Sequence, residues 1–247
     1  WHMGAEELGG DSARKRFEQS AIRLLLNMFR TGLFENPYVD PRRAEEVVGN
    51  PDFMKAGYEA QLRSIVLLKN HNDILPVPKR KKVYLSAGTT LGNNPDPKLV
   101  SRHYEPVASP EEADFALVFI DEPDGGCGYD PEDRKQGGNG YVPISLQYGD
   151  YTAHTARAES LAGGDPLEKS TNRGYQGKRS STKNRLELDR VLNTRHRMGK
   201  KPVIVVISAT RPFVPAEFEP AADAILLTFG VQHQAVLEIL DGQAEPS

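Results

Sequence analysis

Apolar residues in this chain occur in short unbroken runs and in longer segments with helical spacing. The clearest unbroken run is Pro202–Ser208, PVIVVIS, whose β-branched residues predict a strand buried on both faces, as in a parallel sheet. Asp114–Ile120 is a short apolar run that predicts another buried strand, and Ala222–Phe229, Lys82–Ala87 and Tyr104–Val107 predict further strands. A parallel sheet is therefore the predicted centre of the fold.

Helical periodicity appears between these runs. Phe17, Ala21 and Leu24 fall on one face of a first helix, which Gly32 ends. Asn184 followed by Glu187 resembles a capping box and predicts the start of another helix, with Arg190 on its wet face. The remaining predicted helices cover residues 51–63, 151–161 and 231–240. Strands that alternate with helices predict a flavodoxin-like, three-layer α/β/α sandwich with a mostly parallel sheet, preceded by a linker helix.

A long polar segment, Asp121–Tyr141, directly follows the predicted strand Asp114–Ile120. Ligands of open α/β sheets bind beyond the carboxyl ends of the strands, and loops of this length are often functional. Clustered carboxylates and aromatic faces are what a site that cleaves sugars requires, although an acidic, mobile surface loop explains the same composition. The candidate residues are Glu122, Asp124, Tyr129, Asp130, Glu132, Asp133 and Tyr141.

Composition narrows the functional classes. The 247 residues carry a net charge of −3, which gives no general attraction to nucleic acid. Cys127 is the single cysteine, so an internal disulfide and a multi-cysteine metal site are excluded. No apolar run approaches the ~20 residues that span a membrane, and no glycine-rich phosphate loop is present. We therefore expect no cofactor, no metal, and neither nucleic acid nor membrane as a partner, while the compartment stays open.

Three stretches together resemble the family 3 glycoside hydrolases. Gly32–Pro41, GLFENPYVDP, looks like the linker that leaves the catalytic barrel of that family. Ser64–Pro76, SIVLLKNHNDILP, is similar to the entry into its second domain. The third stretch is Asp114–Ile120 with its acidic, glycine-rich loop, followed later by PVIVVIS.

The resemblance implies a division of the chain and an activity. The opening Trp1-His2-Met3 is typical of an expression tag, so residues 1–10 are expected to be a tag or a disordered segment. The resemblance implies the last barrel helix and linker over 11–50 and the sandwich domain over 51–247, with 142–200 as an insertion. The family places its nucleophilic aspartate in an amino-terminal (β/α)8 barrel, which nothing in this sequence resembles. The implied protein is a retaining, exo-acting β-glucosidase or β-xylosidase, whose partners are the barrel and a β-linked glucoside or xyloside oligosaccharide. This chain alone is expected to be inactive.

The resemblance also implies site residues. Glu122 lies two residues beyond the strand and matches one family position for the general acid/base. A second family arrangement places a glutamate before a Gly-Tyr-Asp-Arg-like stretch, but here Cys127 precedes Gly128-Tyr129-Asp130. Glu132 is the weaker alternative acid/base, and Tyr129, Asp130 and Tyr141 are the expected sugar-binding residues. Two other interpretations remain, a non-catalytic carbohydrate-binding or structural domain and a small-ligand module, which the missing phosphate loop disfavours.

Overall fold

The computed structural model describes residues 9–86, 94–161 and 172–247, and the chain divides into two compact units. The sheet unit comprises residues 52–128, 143–152 and 179–247. The helix–loop unit comprises residues 1–51, 129–142 and 153–178.

The sheet unit is built on a six-stranded sheet with the order β1-β8-β7-β4-β2-β3. All neighbouring pairs are parallel except β1 with β8, so the sheet is mixed but mostly parallel. A separate antiparallel pair joins β5 and β6. The strands are β1 (Val66–Asn70), β2 (Lys82–Ser86), β3 (Glu105–Val107), β4 (Phe115–Asp121), β5 (Tyr151–Thr152), β6 (Arg179–Ser180), β7 (Val203–Ser208) and β8 (Ala224–Thr228).

The helices begin at recognisable local signals. Asp40, Asp96 and Asp130 each accept a hydrogen bond from a backbone N–H in the first turn, and a proline follows each of them. The helices are α1 (Gly10–Arg30), α2 (Pro41–Val47), α3 (Pro51–Ser64), α4 (Pro97–Val100), α5 (Pro131–Lys135), α6 (Leu186–Met198) and α7 (His233–Leu240). Short 3-10 turns cover His71–Asp73, Pro215–Glu217 and Glu219–Ala221.

Two apolar layers lie on opposite faces of the sheet because successive strand residues point to opposite sides. Leu117 and Val206 pack on one face with Leu237 of α7. Val118 and Val205 pack on the other face with Val191 of α6. Both faces of β4 and β7 are therefore covered, which confirms the predicted three-layer α/β/α sandwich.

The central strands are where the apolar runs predicted them, and β7 lies between β4 and β8. The segment 151–161 was predicted to be helical, which is wrong: it forms β5 and then turns. The apolar positions there come too sparsely to define a helical face, and Ala153 instead bonds through its N–H to Lys178 O at 3.0 Å. The Asp121–Tyr141 segment is not structureless, since it contains α5 and a bridge between Tyr129 and Tyr141.

A buried contact between a histidine and a carboxylate lies at the end of α7 in the sheet unit. The His103 Nδ1 atom is 2.7 Å from Asp241 Oδ2, and their side chains are 8% and 0% exposed. Lys79 Nζ approaches the same oxygen at 3.4 Å, and Gln243 donates through its backbone N–H to Asp241 Oδ1 at 3.2 Å. Asp241 thus joins the end of α7 to the segments that precede β2 and β3.

Candidate functional site

Glu122 lies just beyond the carboxyl end of β4. Its backbone N–H donates to Ser208 O at 3.0 Å, which continues the pairing of β4 with β7 by one residue. Its side chain is 12% exposed. The sequence therefore places this carboxylate at the edge where open α/β sheets bind ligands.

The segment that follows β7 holds the carboxylate of Glu122. Thr210 donates twice, through its backbone N–H to Oε2 at 2.9 Å and through its hydroxyl to Oε1 at 2.7 Å. The Arg211 Nε atom lies 3.4 Å from Oε1. Both carboxylate oxygens are thus engaged, and the side chain is fixed in one orientation.

Asn184 holds the backbone on both sides of Pro123. Its amide donates to Glu122 O at 2.8 Å and accepts from Asp124 N at 2.8 Å. The predicted capping box at Asn184 is therefore wrong: α6 begins at Leu186 after Arg185, without a side-chain cap. The side-chain amide of Asn184 bonds backbone groups of the loop after β4 instead of the N–H groups at the start of α6.

A second carboxylate, Asp124, lies beside Arg211. Arg211 Nη2 is 3.9 Å from Asp124 Oδ1, and Arg211 Nη1 donates to Gly126 O at 3.2 Å. The side chain of Asp124 is 42% exposed, so this carboxylate is more accessible to solvent than that of Glu122. One arginine therefore lies within 4 Å of both carboxylates.

Behind this edge lies a polar cluster that the sequence did not predict. Arg190 was predicted to be exposed to solvent, but its side chain is only 13% exposed. Its guanidinium donates to Phe119 O at 2.6 Å and to Ser86 O at 3.4 Å. Glu187 is its carboxylate partner. Burial lowers the pKa of Arg190, although Asp121 opposes the shift. The hydroxyl of Tyr148 donates to Asp121 O, and burial followed by Asp121 raises the pKa of this tyrosine.

An open apolar cleft of about 580 Å³ adjoins Thr210 and Arg211 in the sheet unit. Phe229, 56% exposed, and Leu68, 47% exposed, contribute to its lining together with Phe213. A cleft with so few polar atoms suits an apolar partner better than a bare sugar, which needs several hydrogen-bonding groups.

The remaining predicted residues lie in the helix–loop unit. Asp130 accepts from Glu132 N at 2.9 Å and so caps α5, while its own N–H donates to Gly140 O at 2.8 Å. Glu132 is 64% exposed and pairs with Lys135 at 2.6 Å. The rings of Tyr129 and Tyr141 meet edge to face, with centroids 5.7 Å apart.

Asp133 is a half-buried carboxylate of the helix–loop unit with two close partners. Its Oδ2 atom lies 2.6 Å from Lys178 Nζ and accepts from Gly140 N at 2.8 Å. The hydrogen bond from Lys178 is the main cause that lowers the pKa of Asp133. Lys178 also donates to Asn139 Oδ1 at 2.7 Å, so this cluster closes the loop that carries both tyrosines.

The predicted residues thus fall into two groups. Glu122 and Asp124 lie together in the sheet unit, and Tyr129, Asp130, Glu132 and Tyr141 lie in the helix–loop unit. Within the described ranges, no group of three His, Cys, Asp or Glu side chains is arranged to hold a metal ion. The same ranges contain no helix with the length and apolar character needed to cross a membrane.

Sequence reasoning missed Thr210, Arg211 and Asn184 as parts of the site. Thr210 and Arg211 directly follow the clearest strand of the chain. The rule that carboxyl ends of parallel strands meet at one edge could have identified them. No local signal marks the contacts of Asn184.

The fold and this edge define a class of protein, an α/β sandwich that presents carboxylates beyond its central strands. A probable beta-glucosidase C from Aspergillus flavus is 32% identical over 237 residues, which cover 96% of this chain and 30% of that protein. A periplasmic beta-glucosidase/beta-xylosidase from Dickeya chrysanthemi is 35% identical over 119 residues, 46% of this chain and 16% of that protein. No family model matches the chain.

Among solved structures, a beta-glucosidase mutant from Listeria innocua in complex with laminaribiose superposes with a TM-score of 0.51 at 18% identity. The match covers 91% of this chain and 30% of that one, and it supports the fold. The chain is a homologue of the C-terminal α/β sandwich domain of family 3 glycoside hydrolases, as its motifs predicted. It spans about 30% of the length of the Aspergillus relative.

Proposed function

We propose that this chain is the sandwich domain of a retaining, exo-acting β-glucosidase or β-xylosidase, and that Glu122 is its general acid/base. The observation that carries the proposal is the carboxylate of Glu122, fixed by Thr210 at the carboxyl edge of the sheet. Homology to β-glucosidases and β-xylosidases supports the reaction class. The nucleophile is proposed to lie in a (β/α)8 barrel outside this chain.

The proposed chemistry needs two carboxyl groups about 5–5.5 Å apart. The barrel carboxylate attacks the anomeric carbon while the carboxyl group of Glu122 gives its proton to the departing glycosidic oxygen. Glu122 then takes a proton from the water that cleaves the glycosyl-enzyme intermediate, and the cycle closes. This chain supplies the proton transfer, and the covalent step requires the barrel.

The proposed substrate is a β-linked glucoside or xyloside oligosaccharide. Tyr129 and Tyr141 are its proposed binding residues because aromatic faces pack against sugar rings. Arg173 lies over the ring of Tyr141, 5.5 Å from its centroid, and adds a cation with N–H donors beside that ring. Asp130 already caps α5, and we propose that its carboxylate accepts a sugar hydroxyl through its remaining lone pairs.

The proposed partner within the enzyme is the barrel, of which α1 would be the last helix. Apolar side chains of α1 are strongly exposed: Leu24 is 72%, Ile22 65% and Phe29 56% exposed. Exposed apolar surface of this kind marks a site of association. We propose that the barrel covers this face.

Glu122→Gln in the full-length enzyme tests the proposal. We expect a 10²–10⁴-fold loss of kcat for substrates with poor leaving groups, because general acid catalysis contributes about this factor. Substrates with good leaving groups should retain most of the rate, and the acid-dependent limb of the pH profile should disappear. Glu111→Gln, at a 63% exposed side chain, is the matched control.

A non-catalytic carbohydrate-binding or structural domain is the second candidate. It is favoured by the full engagement of Glu122, whose backbone N–H, backbone C=O and both carboxylate oxygens all have partners. A Glu122→Gln enzyme with an unchanged pH profile and reduced stability would establish this second function and exclude the first.

A further inference from the structure

Thr210 donates two hydrogen bonds to the carboxylate of Glu122, which is more than a purely structural threonine needs. Its N–H and its hydroxyl approach different oxygens of the same carboxylate, at 2.9 and 2.7 Å. Thr210 thus binds the carboxylate in a bidentate manner, which fixes both the position and the rotation of the carboxyl plane. Thr210 itself is exposed, so its hydroxyl is not needed to fill the core.

The backbone at Thr210 is held by the sheet. The preceding residue, Ala209, is 3% exposed and donates to Thr228 O at 2.9 Å. Ser208 lies opposite Asp121 in the register of β7 and β4, and its C=O accepts from Glu122 N at 3.0 Å. The N–H of Thr210 is therefore presented to Glu122 by two neighbouring strands.

We propose that Thr210 is a positioning residue, which keeps the Glu122 carboxyl group in one orientation while that group loses and regains a proton. The proposal rests on the proposed role of Glu122 as acid/base. Arg211 Nε, at 3.4 Å from Oε1, is at the limit of hydrogen-bond distance and contributes less to orientation. The short contacts belong to Thr210.

The chemistry of the hydroxyl suits this role. Each carboxylate oxygen has two lone pairs, so Oε1 can face Thr210 with one pair and exchange a proton through the other. The Thr210 hydroxyl donates to the ionised carboxylate, and by rotating about Cβ–Oγ1 it can accept from the protonated group. The proton leaves to the glycosidic oxygen and returns from water, and Thr210 gains and loses none.

The first test uses the chain itself and two variants of nearly equal shape. Thr210→Val keeps the size of the side chain but removes the hydroxyl, and Thr210→Ser keeps the hydroxyl. The amide proton of residue 210, followed by NMR from pH 3 to 8, should shift as its acceptor Glu122 titrates. Glu122→Gln should abolish the shift.

We expect Thr210→Ser to retain the wild-type amplitude of that shift and Thr210→Val to lose at least half of it, because the carboxylate leaves its fixed position. Equal amplitudes in wild type and both variants would overturn the positioning role. This test does not depend on catalysis, so its failure is distinct from a failure of the proposed function.

The second test uses the full-length enzyme and a series of aryl glycosides of different leaving-group ability. Thr210→Val should lower kcat at least tenfold for the poorest leaving group and less than threefold for the best, with KM unchanged, and Thr210→Ser should restore the rate. A uniform loss for all substrates would indicate a structural role only. If Glu122→Gln does not alter the leaving-group dependence, the proposed function fails; if it does and Thr210→Val does not, only the positioning role fails.

Discussion

The buried pair between His103 and Asp241 gives a quantitative test of what stabilises the sheet unit. Asp241→Asn preserves the shape of the side chain but removes its negative charge. The pair has a nitrogen–oxygen distance of 2.7 Å, and the carboxylate is fully buried. A hydrogen bond to a charged group contributes about 1.5–3 kcal/mol, and Lys79, which is 51% exposed, loses little when its contact is lost. We expect a loss of about 2 kcal/mol at pH 7.

The pH dependence of this loss has a definite sign. Burial acts to raise the pKa of Asp241, but the hydrogen bonds from His103 and Gln243 outweigh it and hold that pKa below its usual value. The folded state therefore binds the proton more weakly than the unfolded chain. The resulting stability is present above the unfolded pKa, near 4, and disappears as the pH falls through the folded pKa.

Urea denaturation at several pH values between 7 and 3 measures this effect. The free-energy difference between wild type and Asp241→Asn should be largest at pH 7 and should shrink below about pH 4. Glu59→Gln, at an exposed position on α3, is the control and should change the free energy of unfolding by less than about 0.5 kcal/mol. A difference below about 1 kcal/mol at pH 7, or one that stays constant with pH, would refute the argument.

Three further predictions follow from the described contacts. Val205→Asp places an unpaired charge at a fully buried position of β7 and should cost several kcal/mol, measured by thermal unfolding, whereas Val39→Asp, 75% exposed, should leave the melting temperature within about two degrees. The isolated chain should not hydrolyse a chromogenic aryl β-glucoside, because a lone acid/base cannot form the covalent intermediate; turnover that Glu122→Gln abolishes would contradict this. Lys178→Met removes the cation bonded to Asp133 and should speed amide exchange at Gly140 at least tenfold, and an unchanged rate would show that the loop is held by other contacts.

The sequence predicted the central strands well because their apolar runs are long, and burial on both faces leaves little choice of residue. Pro202–Ser208 and Asp114–Ile120 became β7 and β4, and their order in the sheet brought Glu122 to its edge. The helical prediction for 151–161 failed because scattered alanines fit several structures equally well. Local sequence patterns therefore predict an element correctly where packing allows only apolar residues.

The polar contacts of the site were less predictable. Asn184 has the local signature of a helix cap, but its amide is used 62 residues away in sequence, on Glu122 O. The charge of Arg190 favours exposure to solvent, yet its guanidinium donates hydrogen bonds to the backbone carbonyls of Phe119 and Ser86 in two strands. Such contacts depend on which chain segments meet in the fold, and sequence spacing does not contain that information.

The hydrogen bonds between Asn184 and the loop after β4 have a consequence for redesign of the chain. The segment 142–200 resembles an insertion, and a design for a smaller protein would remove it first. Yet two residues of this segment donate hydrogen bonds to the end of β4. The hydroxyl of Tyr148 donates to Asp121 O, and the side-chain amide of Asn184 donates to Glu122 O. A shortened variant that spares both residues and trims only 153–178 keeps the end of β4 anchored. A deletion of the whole segment removes both hydrogen bonds to the end of β4, and the carboxylate of Glu122 then loses its fixed orientation.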